Sequence, residues 1–385
     1  MPPYTAMKRI LILIDWFYPA FKAGGPIQSC KNIVDTLSDK YSFYLLTSDR
    51  DLGDKMPLKG IIPDQWVDQN DNTHIRYTSK DAMTGDLIKQ VIEEVKPDII
   101  YLNSLFSLRY TLIPFYVLNK IGYNGKIIIA PRGMLHQGAM QYKTFKKKLF
   151  LYLFSRFYVR QNVFFHATDE QEARDIKKYF GHQSQVLVVE NIPSIDYSPL
   201  QSKPKEKKSI KCVYASRLHP KKNLLFALEV LKDLEDANIQ FDIYGPIDDK
   251  EYLMECLDIA YDLPANVMVN FCRPLRHFDL SQKLKEYHLF FLPTRGENFG
   301  HVIFEAMSAG LPVLISDQTP WTNVEAYEAG WSLPLANKES FAEKIRMVCD
   351  MDSETFRSMA NNAKEYANTY YGRLNFKQKY GELFG

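Results

Sequence analysis

The densest group of chemically capable residues is Pro293-Thr294-Arg295-Gly296-Glu297-Asn298-Phe299-Gly300, which runs into His301-Val302-Ile303-Phe304-Glu305-Ala306 and stops at Gly310-Leu311-Pro312. An apolar run precedes it, so the pattern predicts a strand, a glycine-bearing loop, a helix, and a glycine stop followed by proline. Glu297 and Glu305 are the carboxylates of this stretch. With Glu305 inside the helix the rise between them is roughly 12 Å. A retaining glycosidase needs its pair at about 5 to 5.5 Å, so these two carboxylates do different jobs. Thr294-x-x-Glu297 also matches a capping box, which is a purely local role. Glu305 taken alone reads equally as a solvated helix residue.

Cations stand upstream. Ser216-Arg217-Leu218 ends a predicted strand, and Lys222 follows at the start of the next helix. Both side chains are expected at the same strand-end crevice as the Glu297 loop, where a guanidinium and an ammonium stabilise a diphosphate leaving group. The alternative is that Lys221-Lys222 is an exposed basic turn. Near the N-terminus, Gly24-Gly25 stands ahead of a helix opened by Pro26, where backbone N–H groups and the helix dipole favour an anion. A plain turn into the helix is the other reading. The chain has neither GxGxxG nor GxxxxGK[ST], which excludes the dinucleotide fingerprint and the P-loop.

Short apolar runs alternate with longer helical patterns along most of the chain, the signature of βαβ units around parallel sheets. Strands are predicted at Arg9–Ile14, Tyr41–Thr47, Asp98–Leu102, Lys126–Ala130 and Val163–Ala167, then at Lys211–Ala215, Gln240–Tyr244, Asn266–Phe271, His288–Leu292 and Pro312–Ser316. Between the two sets, the prolines and lysines of 193–208 read as an exposed linker. The segment 338–383 reads as helical throughout. The expected architecture is α/β, with two doubly wound Rossmann-like domains (1–195 and 205–369) facing across a cleft, and a final helix at about 370–385 packing back on the first.

Composition narrows the functions. Over 385 residues, 46% hydrophobic and 24% charged residues describe a globular chain, and 48 Lys plus Arg against 46 Asp plus Glu leave a net charge of +2. Such a balance provides no whole-molecule field for holding nucleic acid. Five scattered cysteines without CxxC spacing suggest neither a disulfide framework nor a zinc site, so a cytoplasmic location is expected. No apolar run approaches the ~20 residues that span a bilayer.

The run from Glu297 through Glu305 to Gly310-Leu311-Pro312-Val313, together with Ser216-Arg217-Leu218-His219-Pro220-Lys221-Lys222, resembles the E-x7-E signature and the Arg/Lys pair of family 4 retaining glycosyltransferases. Gly24-Gly25 and Ala130-Pro131-Arg132-Gly133-Met134-Leu135 extend the resemblance over essentially the whole chain. It implies a GT-B fold and a nucleotide diphosphate sugar as donor. It further implies that Glu305 holds the ribose, that Glu297 with the amides of Asn298, Phe299 and Gly300 holds the donor sugar, and that Arg217 and Lys222 hold the diphosphate. The Gly24-Gly25 loop would close over the phosphates and the acceptor. Transfer would proceed with retention, the departing diphosphate oxygen taking the acceptor proton on the same face.

Many relatives carry a histidine after the fourth strand of the first domain, where this chain has Asn103-Ser104. Asn103 or Ser104 is expected to substitute, or His136 to reach in from the loop of Arg132, and Asn103, Ser104, Arg132 and His136 are expected on the acceptor side. Glycosyltransferases of the other major fold use a DxD pair for Mn²⁺ or Mg²⁺; Asp49-Arg50-Asp51 and Asp350-Met351-Asp352 are three-residue matches of the kind chance supplies, and neither a metal nor any cofactor is expected. Lys143, Lys146, Lys147 and Lys148 lead into an aromatic helix through Tyr158. That pattern reads either as a core helix with a solvated basic end or as a peripheral contact with an anionic membrane. The second reading implies a polyprenyl-linked saccharide acceptor at the cytoplasmic face, in capsule, O-antigen or exopolysaccharide assembly. A nucleotide-sugar epimerase and a non-catalytic binding or scaffold protein are the alternatives.

Overall fold

A computed structural model of the protein describes residues 7–136, 140, 147, 149–152, 154, 162–201 and 203–385. The chain divides into two compact units: Met1–Ile192 with Asn375–Gly385, and Pro193–Leu374.

In the first unit the elements run β1 (Lys8–Leu13), α1 (Gly25–Leu37), β2 (Tyr41–Ser48), β3 (Trp66–Asn70), β4 (Thr73–Thr78), α2 (Gly85–Val95) and β5 (Ile99–Leu102). A π-helical turn, Leu108–Leu112, then enters α3 (Ile113–Lys120), followed by β6 (Lys126–Ile129), β7 (Val163–Ala167), α4 (Glu170–Phe180) and β8 (Gln185–Val188). The sheet order is β3-β4-β2-β1-β5-β6-β7-β8, parallel except for the β3–β4 pair. Ile10 to Ile14 and Ile99 to Leu102 are buried almost completely, as expected of parallel strands covered on both faces.

The second unit holds β9 (Ser209–Ala215), α5 (Leu224–Leu231), β10 (Asn238–Tyr244), α6 (Lys250–Tyr261), β11 (Val267–Cys272), α7 (His277–Leu284), β12 (Leu289–Leu292), α8 (His301–Ser308), β13 (Val313–Ser316), β14 (Gly330–Leu333), α9 (Lys338–Asp350) and α10 (Ser353–Arg373). Its sheet is parallel throughout, in the order β11-β10-β9-β12-β13-β14. The last helix, α11 (Phe376–Leu383), belongs to the first unit. In each sheet one strand marks the reversal of winding, β1 beside β5 and β9 beside β12. Open α/β sheets bind ligands at the carboxyl ends of such strands.

Two expectations need correction. The segment 338–383 is three helices. Asp352 caps the second through its side chain on the Thr355 amide, and Asn375 caps the third on the Gln378 amide. Side-chain caps of this kind satisfy N–H groups that a continuing helix would have bonded itself. The Lys-rich stretch before β9 is not a loose linker either. Lys205 is buried, and its Nζ donates to the carbonyls of Glu206 and Cys349 at 2.8 and 2.9 Å, while Lys203 donates to Tyr287 at 3.0 Å. Burial and the neighbouring Lys285 push the Lys203 ammonium down to about 8. These lysines donate to backbone carbonyls, a role that their composition hides. Among the described residues no helix is long and apolar enough to cross a membrane.

Candidate functional site

In the second unit the loops after β9 and β12 are laced together. Asn223, at φ +61°, donates from Nδ2 to the Pro293 carbonyl at 2.9 Å, and the Arg295 amide donates to the Lys221 carbonyl at 2.8 Å. The Thr294 hydroxyl donates to that same carbonyl at 3.2 Å. This lacing brings Lys222 Nζ to 2.5 Å from Glu297 Oε1, with side chains only 14% and 11% exposed. Burial works to raise the Glu297 carboxyl, but Lys222, Lys221 and the Thr294 hydroxyl outweigh it and hold the group below the usual carboxylate range.

Helix α8 starts at His301 with Gly300 as its cap, at φ +76°. Thr294 is therefore not the cap of that helix, and the capping-box role for Glu297 is not realised. A Cβ on Gly300 would stand 2.9 Å from Ile303 Cδ1, the movable end of that side chain, so the backbone angle more than space favours glycine there. Asn298 is half-buried. Phe299 packs its ring against Phe304 and Trp321, and its carbonyl accepts from Trp321 Nε1 at 2.6 Å, which anchors the loop.

Glu305 is not a solvated helix residue. It is 6% exposed, and its Oε1 lies 2.7 Å from Nε2 of His277, the first residue of α7. Burial raises this carboxyl too, but the charges of His277 and His301 and the His277 hydrogen bond hold it below its ordinary value. Sequence reasoning missed His277, which has no spacing relation to Glu305 and becomes its partner only through the packing of α7 against α8. Arg217 points its Nη1 at Asp248 Oδ2, 2.8 Å away, with both side chains about a third exposed. It stands on the same β9 loop as Lys222. The Tyr214 hydroxyl, which lies 3.5 and 3.4 Å from the carbonyls of Arg217 and Lys222, spans that loop.

In the first unit, Gly24 (φ +69°) caps α1, and Gly25 is its first residue. The approach to them is held by Asp51, whose carboxylate accepts from the amides of Phe21 at 2.8 Å and Lys22 at 3.2 Å. Asn103 follows β5 and is committed on both sides of its amide. Its Nδ2 donates to the Pro26 carbonyl at 3.3 Å, and its Oδ1 accepts from Arg132 Nε at 2.8 Å. Ser104 donates to the Met134 sulfur at 3.8 Å, and His136 Nδ1 sits 2.5 Å from Asp175 Oδ2.

Arg132 is 9% exposed and spends its fork on neutral oxygens. Besides Asn103, it donates from Nη1 to Asn191 Oδ1 at 2.5 Å and from Nη2 to the Tyr101 hydroxyl at 2.8 Å. Tyr101 in turn lies 2.6 Å from His166 Nδ1, and His166 Nε2 lies 2.7 Å from the Val189 carbonyl. A carbonyl only accepts, so Nε2 carries the proton and Nδ1 accepts from Tyr101. Burial, with Arg132 nearby, pushes His166 down to about 3, so it stays neutral.

Residues 199–366 match the family Glycosyl transferases group 1. The chain holds that matched stretch wholly within its second unit. Its fold is that of GT-B glycosyltransferases: Anabaena Alr3699/HepE, solved in complex with UDP and glucose, superposes with a TM-score of 0.69 at 16% identity over 98% of this chain and 99% of that one. A protein of 41.2 kDa in the cps region of Klebsiella pneumoniae is 23% identical over 77% of this chain and 81% of its own length. The GtfA subunit of the UDP-N-acetylglucosamine–peptide N-acetylglucosaminyltransferase of Streptococcus agalactiae is 27% identical over 42% of this chain. The chain spans about a third of that relative, 31% of its length. Among the described residues no group of three or more His, Cys, Asp or Glu side chains is placed to hold a metal ion.

Proposed function

We propose that this glycosyltransferase is a retaining enzyme of family 4 that needs no metal or cofactor. It moves a sugar from a nucleoside diphosphate sugar onto a saccharide or polyprenyl-linked saccharide in the assembly of a cell-surface polysaccharide. The observation that carries the reading is the Lys222–Glu297 pair on the loops that leave β9 and β12 at the reversal of the sheet, with Glu305 buried and ionised in the helix that follows.

Each group has a task there. Glu305 accepts the hydroxyls of the nucleotide ribose. Lys222, released in part from Glu297, and Arg217, released from Asp248, bind the diphosphate and stabilise the charge that grows as the anomeric C–O bond to phosphate breaks. Glu297 and the loop amides of Asn298, Phe299 and Gly300 hold the sugar. The acceptor oxygen bonds to the anomeric carbon on the face the diphosphate leaves, and the acceptor proton passes to the departing phosphate oxygen. No protein nucleophile enters.

The polysaccharide context is supported by the Klebsiella relative, which this chain matches over most of its length. The peptide acceptor belongs to streptococcal proteins of which this chain spans a third. A peripheral membrane role rests on the basic aromatic segment. Within it, Leu149 and Tyr152 are about half exposed and Phe154 is core, while Lys143, Lys146, Lys148, Phe157 and Tyr158 lie outside the described residues.

The deciding experiment is a thermal-shift panel of UDP, GDP, ADP and their sugar conjugates, with and without EDTA, on the wild type and on Glu305→Ala. One nucleotide family should stabilise the wild type in EDTA, with most of the shift lost in the variant. Stabilisation that vanishes with EDTA, or none at all, overturns the donor-site reading. Turnover of the sugar nucleotide without an acceptor would favour an epimerase, and binding without turnover a scaffold.

A further inference from the structure

Glu305 sits in the second turn of α8 with three rotatable side-chain bonds and little access to water. A carboxylate in that position accepts two hydroxyls of a diol only if its plane is held, and a buried one keeps its charge only if something donates to it. The contact that does both is Nε2 of His277, at 2.7 Å from Oε1. His277 comes from a different helix, and its side chain is 35% exposed, so the pair has a side that a ligand can reach. Its own helix start is stiffened by the Arg276–Asp279 ion pair at 2.8 Å and by the Ser281 hydroxyl on the His277 carbonyl at 3.1 Å.

We infer that His277 is a positioning residue of the nucleotide site. By donating to Oε1 it fixes the carboxylate of Glu305 so that the 2′- and 3′-hydroxyls of the ribose meet both oxygens, and it thereby sets the preference for ribonucleotides. The inference rests on the assignment of Glu305 to the ribose. Nε2–H donates whether the ring is neutral or charged, so the role needs no particular protonation state. Each carboxylate oxygen has two lone pairs, which lets Oε1 serve the imidazole and a hydroxyl together.

The test compares the dissociation constants of UDP and 2′,3′-dideoxy-UDP by calorimetry, with the GDP and ADP pairs run in parallel, on the wild type, His277→Leu, His277→Gln and Glu305→Ala. The wild type should prefer the ribose form on the order of tenfold, the worth of a pair of hydrogen bonds. Glu305→Ala should abolish the preference, and His277→Leu should cut it below about threefold. His277→Gln, which keeps a donor of similar reach, should restore most of it. If the leucine variant does not fold, His277→Asn, whose amide is too short to reach Glu305, replaces it with the same expected loss. An undiminished preference in the leucine or asparagine variant overturns the role of His277 while leaving Glu305 on the ribose. A preference that survives Glu305→Ala, or no binding of any nucleotide, overturns the assignment of Glu305 and the inference with it.

Discussion

Arg132 in the first unit and the site cations of the second are held in opposite ways. In the second unit Lys222 faces Glu297, Arg217 faces Asp248, and the His277 ring faces Glu305. In the first, Arg132 is buried among the neutral oxygens of Asn103, Asn191 and Tyr101, and the chain of bonds continues inward to a neutral His166. An ion pair open to a ligand on one side can exchange partners, because a diphosphate can take the place of a carboxylate. A guanidinium saturated inside a core cannot, since each bond it gives up leaves a buried acceptor unsatisfied. The first arrangement suits a ligand site, and the second ties the α1 terminus, the β5 and β6 loops and the β7–β8 region into one frame.

That contrast breaks first at Arg132. Arg132→Met should destabilise the first unit by about 3 kcal/mol, because the Asn103 and Asn191 carbonyl oxygens lose their donor. Denaturant unfolding measures it, and a loss under about 1 kcal/mol would remove the scaffold role.

Acidification sharpens the same point. The unfolded chain protonates His166 near its ordinary value of 6.5, whereas the folded unit refuses the proton until about 3. Stability is therefore lost as pH falls below 6.5, at about 1.4 kcal/mol per pH unit or about 2 kcal/mol by pH 5. His288, pushed to about 4 by burial, adds a loss of the same sign in the second unit. Glu297 and Glu305, whose pKa values are depressed, keep their contribution through this range and lose it only as pH falls below the ordinary value of 4.5. Melting curves at pH 7 and pH 5 on the wild type and on His166→Asn test this, and an unchanged slope in the variant would assign the pH effect elsewhere.

The glycines compare the two loops on a smaller scale. Gly300→Ala meets both a positive φ and the Ile303 contact, and should cost about 1 to 2 kcal/mol. Gly24→Ala finds open space but sits at φ +69° and ψ −125°, a mirror-β backbone that L side chains hardly adopt, so it should cost at least as much, about 2 kcal/mol. A smaller loss at Gly24 than at Gly300 in thermal melts would mean that crowding against Ile303, and not backbone angle, sets the cost. The smallest effect on stability is expected for Arg217→Ala, within about 0.5 kcal/mol, since water screens a pair that is about a third exposed. Its sugar-transfer rate should nevertheless fall by about tenfold or more, which a rate assay with the identified donor measures.

The sequence by itself determined the buried parallel strands and the chain positions of the loops that follow them. Strands such as β1, β5, β7 and β12 are continuous apolar runs because both faces are covered, and that signal survives without any knowledge of neighbours. It failed for β3, whose residues are mostly exposed at the sheet edge, for β4, where buried Thr73, Ile75 and Tyr77 alternate with half-buried His74 and Arg76 instead of forming an apolar run, and for β8 and β14, four-residue strands that are only partly buried. It also named Lys222, Glu297 and Glu305 but not their partners. That Lys222 meets Glu297 across 75 positions, that His277 meets Glu305, and that Asn103 is consumed by Arg132 and Pro26 follow from strand order and helix packing. Local pattern records which residues a segment buries. Which charges then lie within 3 Å of each other depends on winding order around the sheet, and that is a property of the tertiary structure alone.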